Sequence, residues 1–311
     1  MDVVAGVADL STKEPMNPAS HFRIASITKM FTATVVLQLA AEGRIGLDQA
    51  VNAITPGLLA DDRVTVRMLL NHTSGLGDFP SGLGGDSVVK EPRRVIDPRQ
   101  ILAAVKTAPP PSGPPGVTQT YSNVGYLALG EVVATVTGVP VSEAIRTRIL
   151  DPLRLTRTSW PTTPALPDPH PHGYLSTRPA ERDQVDYTEI DPTFAGAAGS
   201  LVSTTADLAA FVRALAQGRL VSAEYRDAMV TPFKQVAKWR YGLGVETFMA
   251  GCFVPYVGHG GAVPGFATFV ATTTDGRRQV VILTTNSLVD VPDPQHALDR
   301  LVEQALCPGI P

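Results

Sequence analysis

Between Arg23 and Gly43 the chain is apolar with few interruptions, and the apolar positions do not keep to one side. Ile27, Met30, Phe31, Val35, Leu37 and Leu39 fall on more than one face of a helix, the pattern of a helix buried all round. A helix is therefore predicted over residues 26–42, with Gly43 as its stop. Ahead of it, residues 3–8 read as a strand and Ser11-Thr-Lys-Glu-Pro15 as a polar turn. From 48 to 195 the helical patterns are short, at 64–71, 99–107, 124–136 and 141–149. Between them lie Pro109-Pro-Pro-Ser-Gly-Pro-Pro115 and 161–171, where proline forbids regular structure. Another helix follows Thr204-Thr-Ala-Asp207 and runs to Gln217. Then the texture changes to strands at 241–248, 253–258, 267–274 and 279–285, with Asp275-Gly276 as a hairpin turn and a closing helix at 293–306.

Strands linked by hairpins make an antiparallel sheet, so the expected class is α+β, an α/β sandwich of a sheet flanked by helices. Residues 1–47 and 196–311 would form the lobe with the sheet, and residues 48–195 an inserted, mostly helical lobe. The active site would lie in the cleft between them.

Composition narrows the function. Of 311 residues, 44% are hydrophobic and 18% charged, which excludes a disordered chain. A net charge of −3 without a cluster of Lys and Arg argues against nucleic acid as a partner. The longest apolar run, 30–41, is broken by Thr32, Thr34 and Gln38 and is too short to span a bilayer. Met1-Asp2-Val3-Val4 has neither a basic start nor a signal-peptide core, as in a cytoplasmic protein or a mature fragment. Cys252 and Cys307 leave two readings open: two free thiols, or a bridge closing a loop of roughly 55 residues, worth about 4 kcal/mol and implying an oxidising compartment. Asp168-Pro-His-Pro-His172 offers two histidines but no third ligand, so no metal and no cofactor is expected.

Three short motifs carry candidate chemistry. Ser26 and Lys29 stand three apart and share a helix face. A serine hydroxyl needs a base, and an unperturbed lysine is too basic to serve, but burial and the positive end of a helix both disfavour its ammonium form. Tyr121-Ser122-Asn123 reads by itself as a capping sequence with a core tyrosine, and His259-Gly260-Gly261 as a tight turn. A Ser-His-Asp hydrolase fits poorly, because no G-x-S-x-G elbow is present. His72 reads as a buried structural histidine at a helix end.

Taken in order and at these separations, S-x-x-K, Y-S-N and H-x-G resemble the penicillin-recognising serine enzymes. The branch is the one holding class C β-lactamases, soluble D-alanyl-D-alanine carboxypeptidases and related esterases and peptidases. The resemblance covers nearly the whole chain. It extends to Asn71-His-Thr-Ser-Gly-Leu76, Ala198-Gly-Ser-Leu-Val-Ser-Thr204, Tyr241-Gly-Leu-Gly244 and Gly258-His-Gly-Gly-Ala-Val-Pro-Gly265. It implies a β-lactamase/transpeptidase-like fold, with Ser26 as nucleophile and Lys29 and Tyr121 sharing the proton work. The backbone N–H groups of Ser26 and Ala262 would form the oxyanion hole. Asn123, His259, Gly261, Ala262, Phe194 and Glu246 would face the substrate, and His259 would line the cleft from the sheet edge. The soluble carboxypeptidases carry a disulfide where Cys252 and Cys307 fall, which favours the bridge and a secreted protein.

Two departures qualify this. The carboxypeptidases have H-T-G-[ST] and an arginine two positions after Y-G-L-G, both binding a terminal carboxylate. This chain has Gly260, Ala262 and Glu246 there. The expected reaction is therefore hydrolysis of an amide or ester (a D-amino-acid peptide, a β-lactam or an ester) with altered specificity. A transacylase or a non-catalytic penicillin-binding relative are the alternatives. The second departure is at the start, where relatives have a helix and one more strand before the segment matching Val3-Val-Ala-Gly-Val-Ala-Asp9; without them, unpaired backbone and uncovered apolar surface are expected.

Overall fold

The computed structural model describes residues 2–108, 113–178, 183–233, 240–285 and 294–307. The expected class holds. A 3-10 turn, Ala25–Ile27, runs into helix α1, Thr28–Ala41. In α1 every side chain is buried except those of Gln38 and Ala41, as its all-round apolar pattern requires. Gly43 lies beyond its end at φ +69°, a left-handed residue that lets the chain turn away.

Around α1 are packed α6 (Asn123–Thr137), α7 (Val141–Ile145) and α9 (Gly196–Gly199). The shorter α2 (Val51–Ile54), α3 (Val66–Leu70), α4 (Gly85–Lys90), α5 (Pro98–Lys106) and α8 (Asp151–Leu153) fill the rest of the helical segment. The pattern at 141–149 is not one α-helix: α7 continues as a π-helical turn, Arg146–Leu150, into α8.

The C-terminal sheet is antiparallel, in the order β5 (Glu246–Met249), β6 (Pro255–Val263), β7 (Phe266–Thr273), β8 (Gln279–Thr284). Its two faces are told apart by alternation. Val270, Val281 and Leu283 join the main core with Phe211 and Val212 of α10 (Thr205–Ala216). Phe269, Ala271, Val280 and Ile282 pack instead with Val302 and Leu306 of α12 (Pro294–Leu306). The stacked rings of Phe31 and Phe211, 3.7 Å apart, join α1 to α10. Cys252, in the β5–β6 turn, and Cys307, just past α12, form a disulfide with Cα atoms 5.9 Å apart, so α12 is tied to the sheet it covers.

Several expectations change. Residues 3–8 form no strand: only Val7 bridges Pro15, and Val3 is 76% exposed. The strand expected from 241 begins at Glu246, because Tyr241-Gly-Leu-Gly244 is a turn. Gly244 sits there at φ +85°, and a Cβ on it would lie 2.3 Å from that of Ala33. The strand expected to end at 258 runs on to Val263, so His259, Gly261 and Ala262 belong to a strand and not to a turn. Two small antiparallel pairs were not anticipated: β1 (Phe22–Arg23) with β4 (Val202–Ser203), and β2 (Tyr174–Arg178) with β3 (Asp183–Asp186). The closing helix is described over Pro294–Leu306; its expected first residue, Asp293, and residues 109–112 of the proline run lie outside the described residues. No single helix among the described residues is long and apolar enough to cross a membrane.

Candidate active site

Ser26 sits in the 3-10 turn ahead of α1, reached through Ala25 at φ +46°, a costly conformation for a residue with a Cβ. The turn leaves Ser26 partly exposed, while Lys29, one turn on, is wholly buried. Lys29 Nζ lies 3.0 Å from Ser26 Oγ, 2.7 Å from Asn123 Oδ1 and 2.8 Å from the Ala198 carbonyl. The last two atoms can only accept hydrogen bonds. A neutral amine has two N–H bonds for them, and its lone pair is left facing the Ser26 hydroxyl. Burial pushes Lys29 down to about 7, with the Asp78 carboxylate opposing the shift. The contacts thus suit an amine that takes the serine proton.

Both neighbours of Lys29 are held by tertiary contacts. Thr32 Oγ1 donates to the Ala197 carbonyl at 2.8 Å, and Leu201 N to Thr28 Oγ1 at 3.1 Å, which pins α9 and its Ala198 carbonyl to α1. Gly130 allows α6 to approach, since a Cβ there would lie 2.9 Å from that of Ala197. Ser122 is the N-cap of α6, its Oγ accepting from Gly125 N at 3.2 Å. The capping reading of Tyr121-Ser122-Asn123 is therefore correct, and it is also what aims Asn123 at Lys29. Upstream, Gln119 Nε2 donates to the carbonyls of Asn71, at 2.8 Å, and Tyr241, at 3.0 Å. The Tyr121 ring lies under Lys29 Nζ, 4.8 Å from its centroid, with its hydroxyl bonded to Ser26. Burial raises the Tyr121 pKa, so it is a phenol at neutral pH.

Strand β6 closes the other side. A Cβ on Gly261 would lie 2.5 Å from the Ile24 carbonyl, 2.6 Å from Thr268 Oγ1 and 3.1 Å from Ser26 N, so only glycine lets the strand come this close. Ala262 then lines the same pocket of about 200 Å3 as Ser26, with Asn123, Phe79, Phe194, Ala198 and Val263. Phe79 and Phe194 meet at 5.9 Å and make its apolar end. A larger hollow, about 700 Å3, lies behind the 74–78 segment and contains Asp78 but neither Ser26 nor Lys29.

Ser26, Lys29, Tyr121, Asn123, Gly261, Ala262 and Phe194 are thus brought together. His259 is not on the cleft wall: it is 1% exposed, on a strand inside the sheet, with Nε2 2.9 Å from the Tyr241 hydroxyl. Burial and nearby Lys29 push it down to about 3. Glu246, opposite Gly258 on β5, is half-buried and does not line the pocket, although its charge helps to raise the Tyr121 pKa. Asp78 was not anticipated. It is exposed, and its carboxylate accepts from Asn123 N at 3.0 Å and Asn123 Nδ2 at 3.1 Å, which fixes the amide with Oδ1 towards Lys29. Its only trace in the sequence is an acid two residues after the Asn71–Leu76 motif.

The chain matches the beta-lactamase family over residues 1–305. It is 27% identical to Penicillin-binding protein 4* of Bacillus subtilis over 292 residues, covering 89% of this chain but only 63% of that protein. Among solved structures it is similar to a D-stereospecific amidohydrolase from Streptomyces sp., at 34% identity and a TM-score of 0.85, covering 94% of this chain and 88% of that one. It is also similar to the D-amino acid amidase from Ochrobactrum anthropi SV3, at 28% identity and a TM-score of 0.82, covering 96% and 87%. The chain belongs to the beta-lactamase family, and with it to the acyl-enzyme serine hydrolases.

Proposed function

We propose that the protein hydrolyses amides of D-amino acids, or the first peptide bond after an N-terminal D-residue, and that Asp78 receives the free α-ammonium group. Ser26 Oγ attacks the carbonyl while its proton passes to Lys29. The developing oxyanion is met by the N–H groups of Ser26 and Ala262. The intermediate collapses as the leaving amine takes a proton through the Tyr121 hydroxyl. Water then attacks the acyl-serine ester, its proton passing to Lys29, and the departing Ser26 oxygen takes a proton back through Lys29 and the Tyr121 hydroxyl as the acid is released.

The observation that carries the substrate class is the exposed Asp78 carboxylate, bonded to Asn123 and next in the chain to Phe79, two residues that line the Ser26 pocket. A carboxylate there favours a cationic substrate and repels a terminal carboxylate. The absence of hydroxyls at Gly260 and Ala262 points the same way. The two similar solved structures are of enzymes named for D-stereospecific amide hydrolysis.

The test compares kcat/KM for D-phenylalanine amide, its L-isomer, its N-acetyl derivative, a D-Ala-D-Ala peptide acetylated at its N-terminus and p-nitrophenyl acetate. N-acetylation of the D-amide is expected to cost about 50-fold or more, the size of a lost charge-assisted contact. Equal turnover of the free and acetylated amides, or a preference for the acetylated peptide, overturns the reading.

A further inference from the structure

Beneath the pocket lies a buried chain of polar side chains that the acyl-transfer steps do not use. Tyr126 donates its one hydroxyl hydrogen to the Leu70 carbonyl at 2.8 Å, and its oxygen lies beside the Tyr241 hydroxyl. The Tyr241 hydroxyl meets His259 Nε2 at 2.9 Å, and His259 Nδ1 faces the Gly260 carbonyl. A carbonyl only accepts, so the nitrogen facing it bears the ring hydrogen. In a neutral ring Nε2 is then an acceptor, and the one Tyr241 hydrogen goes to it rather than to the Tyr126 oxygen, which already donates to Leu70. The groups around His259 are Lys29 from α1, Tyr121 ahead of α6 at 6.3 Å between ring centroids, and Tyr241 at 5.5 Å. His72 packs against both tyrosines, and Tyr126 reaches Tyr241 from α6. Both histidine nitrogens are therefore engaged, neither of them with Tyr121.

We infer that Tyr241 is a positioning residue: its hydroxyl holds His259 as the neutral Nδ1–H tautomer, which keeps His259 out of proton exchange with Tyr121 and fixes strand β6 where Ala262 faces Ser26. The geometry explains why Tyr241-Gly-Leu-Gly244 is a turn and not the start of a strand. Gly242 admits the chain beside the Met229 carbonyl, 2.0 Å from where its Cβ would be, and Gly244 lets the turn lie against α1. The turn thereby drops Tyr241, wholly buried, between α6 and β6. Proton traffic is left to Ser26, Lys29 and Tyr121.

The test is a two-bond proton–nitrogen spectrum of the full chain labelled in its 6 histidines, with His259 assigned by substitution. In the wild type, His259 is expected to show the neutral Nδ1–H pattern, without titrating, from about pH 5.5 to about pH 8.5. In Tyr241→Phe the His259 signals should shift to a mixture of tautomers, with those of His21, His170 and His172 unchanged. There kcat should fall about tenfold with KM within about twofold, the split expected when an interaction made in the transition state is lost. A wild-type His259 that carries its hydrogen on Nε2, or that titrates in step with the rate, overturns the proposal. So does a Tyr241→Phe protein with unaltered tautomer and kcat. The wild-type spectrum needs neither the variant nor a substrate, so it decides even where Tyr241→Phe does not fold, and its outcome is separate from that of the amidase reading.

Discussion

Lys29 and Asp78 both touch the Asn123 amide, one on its oxygen and the other on its nitrogen, yet one is wholly buried and the other exposed. The buried side is over-determined. Lys29 is gripped by Asn123 and Ala198, and the element behind each is tied to the core by caps, threonine hydroxyls and a close helix approach. Desolvation then does to Lys29 what no local sequence could. The exposed side is a rim of a few residues, Asp78 with Phe79, Phe194 and Ala262, from three separate segments. A site built this way keeps its chemistry constant while its substrate varies with a few side chains.

That contrast can be broken most severely at the nucleophile. Ser26→Ala should lower kcat by about 10^4-fold or more while the melting temperature stays within a few degrees, because the hydroxyl carries the covalent step and little of the packing. Near-wild-type turnover of an activated ester by that variant would remove Ser26 from the mechanism. Lys29→Met should cost about 10^3-fold in kcat/KM and leave the protein as stable or more so, since a buried amine is replaced by a thioether chain of similar shape; thermal melts and steady-state kinetics on one preparation check both.

The approach of β6 comes next. Gly261→Ala places a methyl where the Ile24 carbonyl and Ser26 N now stand, and displacement of the Ala262 donor should lower kcat about 100-fold. A structure of the variant with β6 unmoved and unchanged kcat would show that the close approach is not needed.

Smaller, and aimed at the link between the two regions, is the effect of pH. Lys29 is held down to about 7 and works as the free base, so kcat/KM should rise through about pH 7 as its proton is lost. Asp78 favours the ammonium form, so Asp78→Asn should move that rising limb to lower pH. A pH–rate profile with an unmoved limb would separate Asp78 from Lys29. Smallest for activity is the disulfide: Cys252→Ser with Cys307→Ser should leave kcat within about twofold but lower the melting temperature by roughly 5–10 °C, from the loop it no longer closes.

What could be read in the sequence was what local spacing and composition carry. The buried helix over 26–42 was legible because its apolar residues lie all round it, and the S-x-x-K pair because three residues put both side chains on one face. The last three strands and the Asp275-Gly276 turn followed from runs of β-branched and aromatic residues and from the Asp-Gly dipeptide between two of them, which are local properties. The strand expected at 3–8 failed for a complementary reason: a valine-rich apolar run without a partner does not make a strand, and Val3 lies exposed. Tyr241 read as the start of a strand because the β-favouring Val245, Thr247 and Phe248 follow it. Only packing against Ala33 and Met229 shows that the glycines beside it form a turn.

By itself the sequence determined the class of chemistry, since a serine and a lysine one helical turn apart, with Y-S-N and H-x-G in order behind them, are a property of the chain. The tertiary structure decided the state in which those groups work. Burial makes Lys29 a base and Tyr121 a phenol; a contact between segments 18 residues apart turns His259 towards Tyr241; and Asp78 meets Asn123 across 45 residues. Desolvation and long-range hydrogen bonds depend on what the fold brings near, and no window of the sequence contains them.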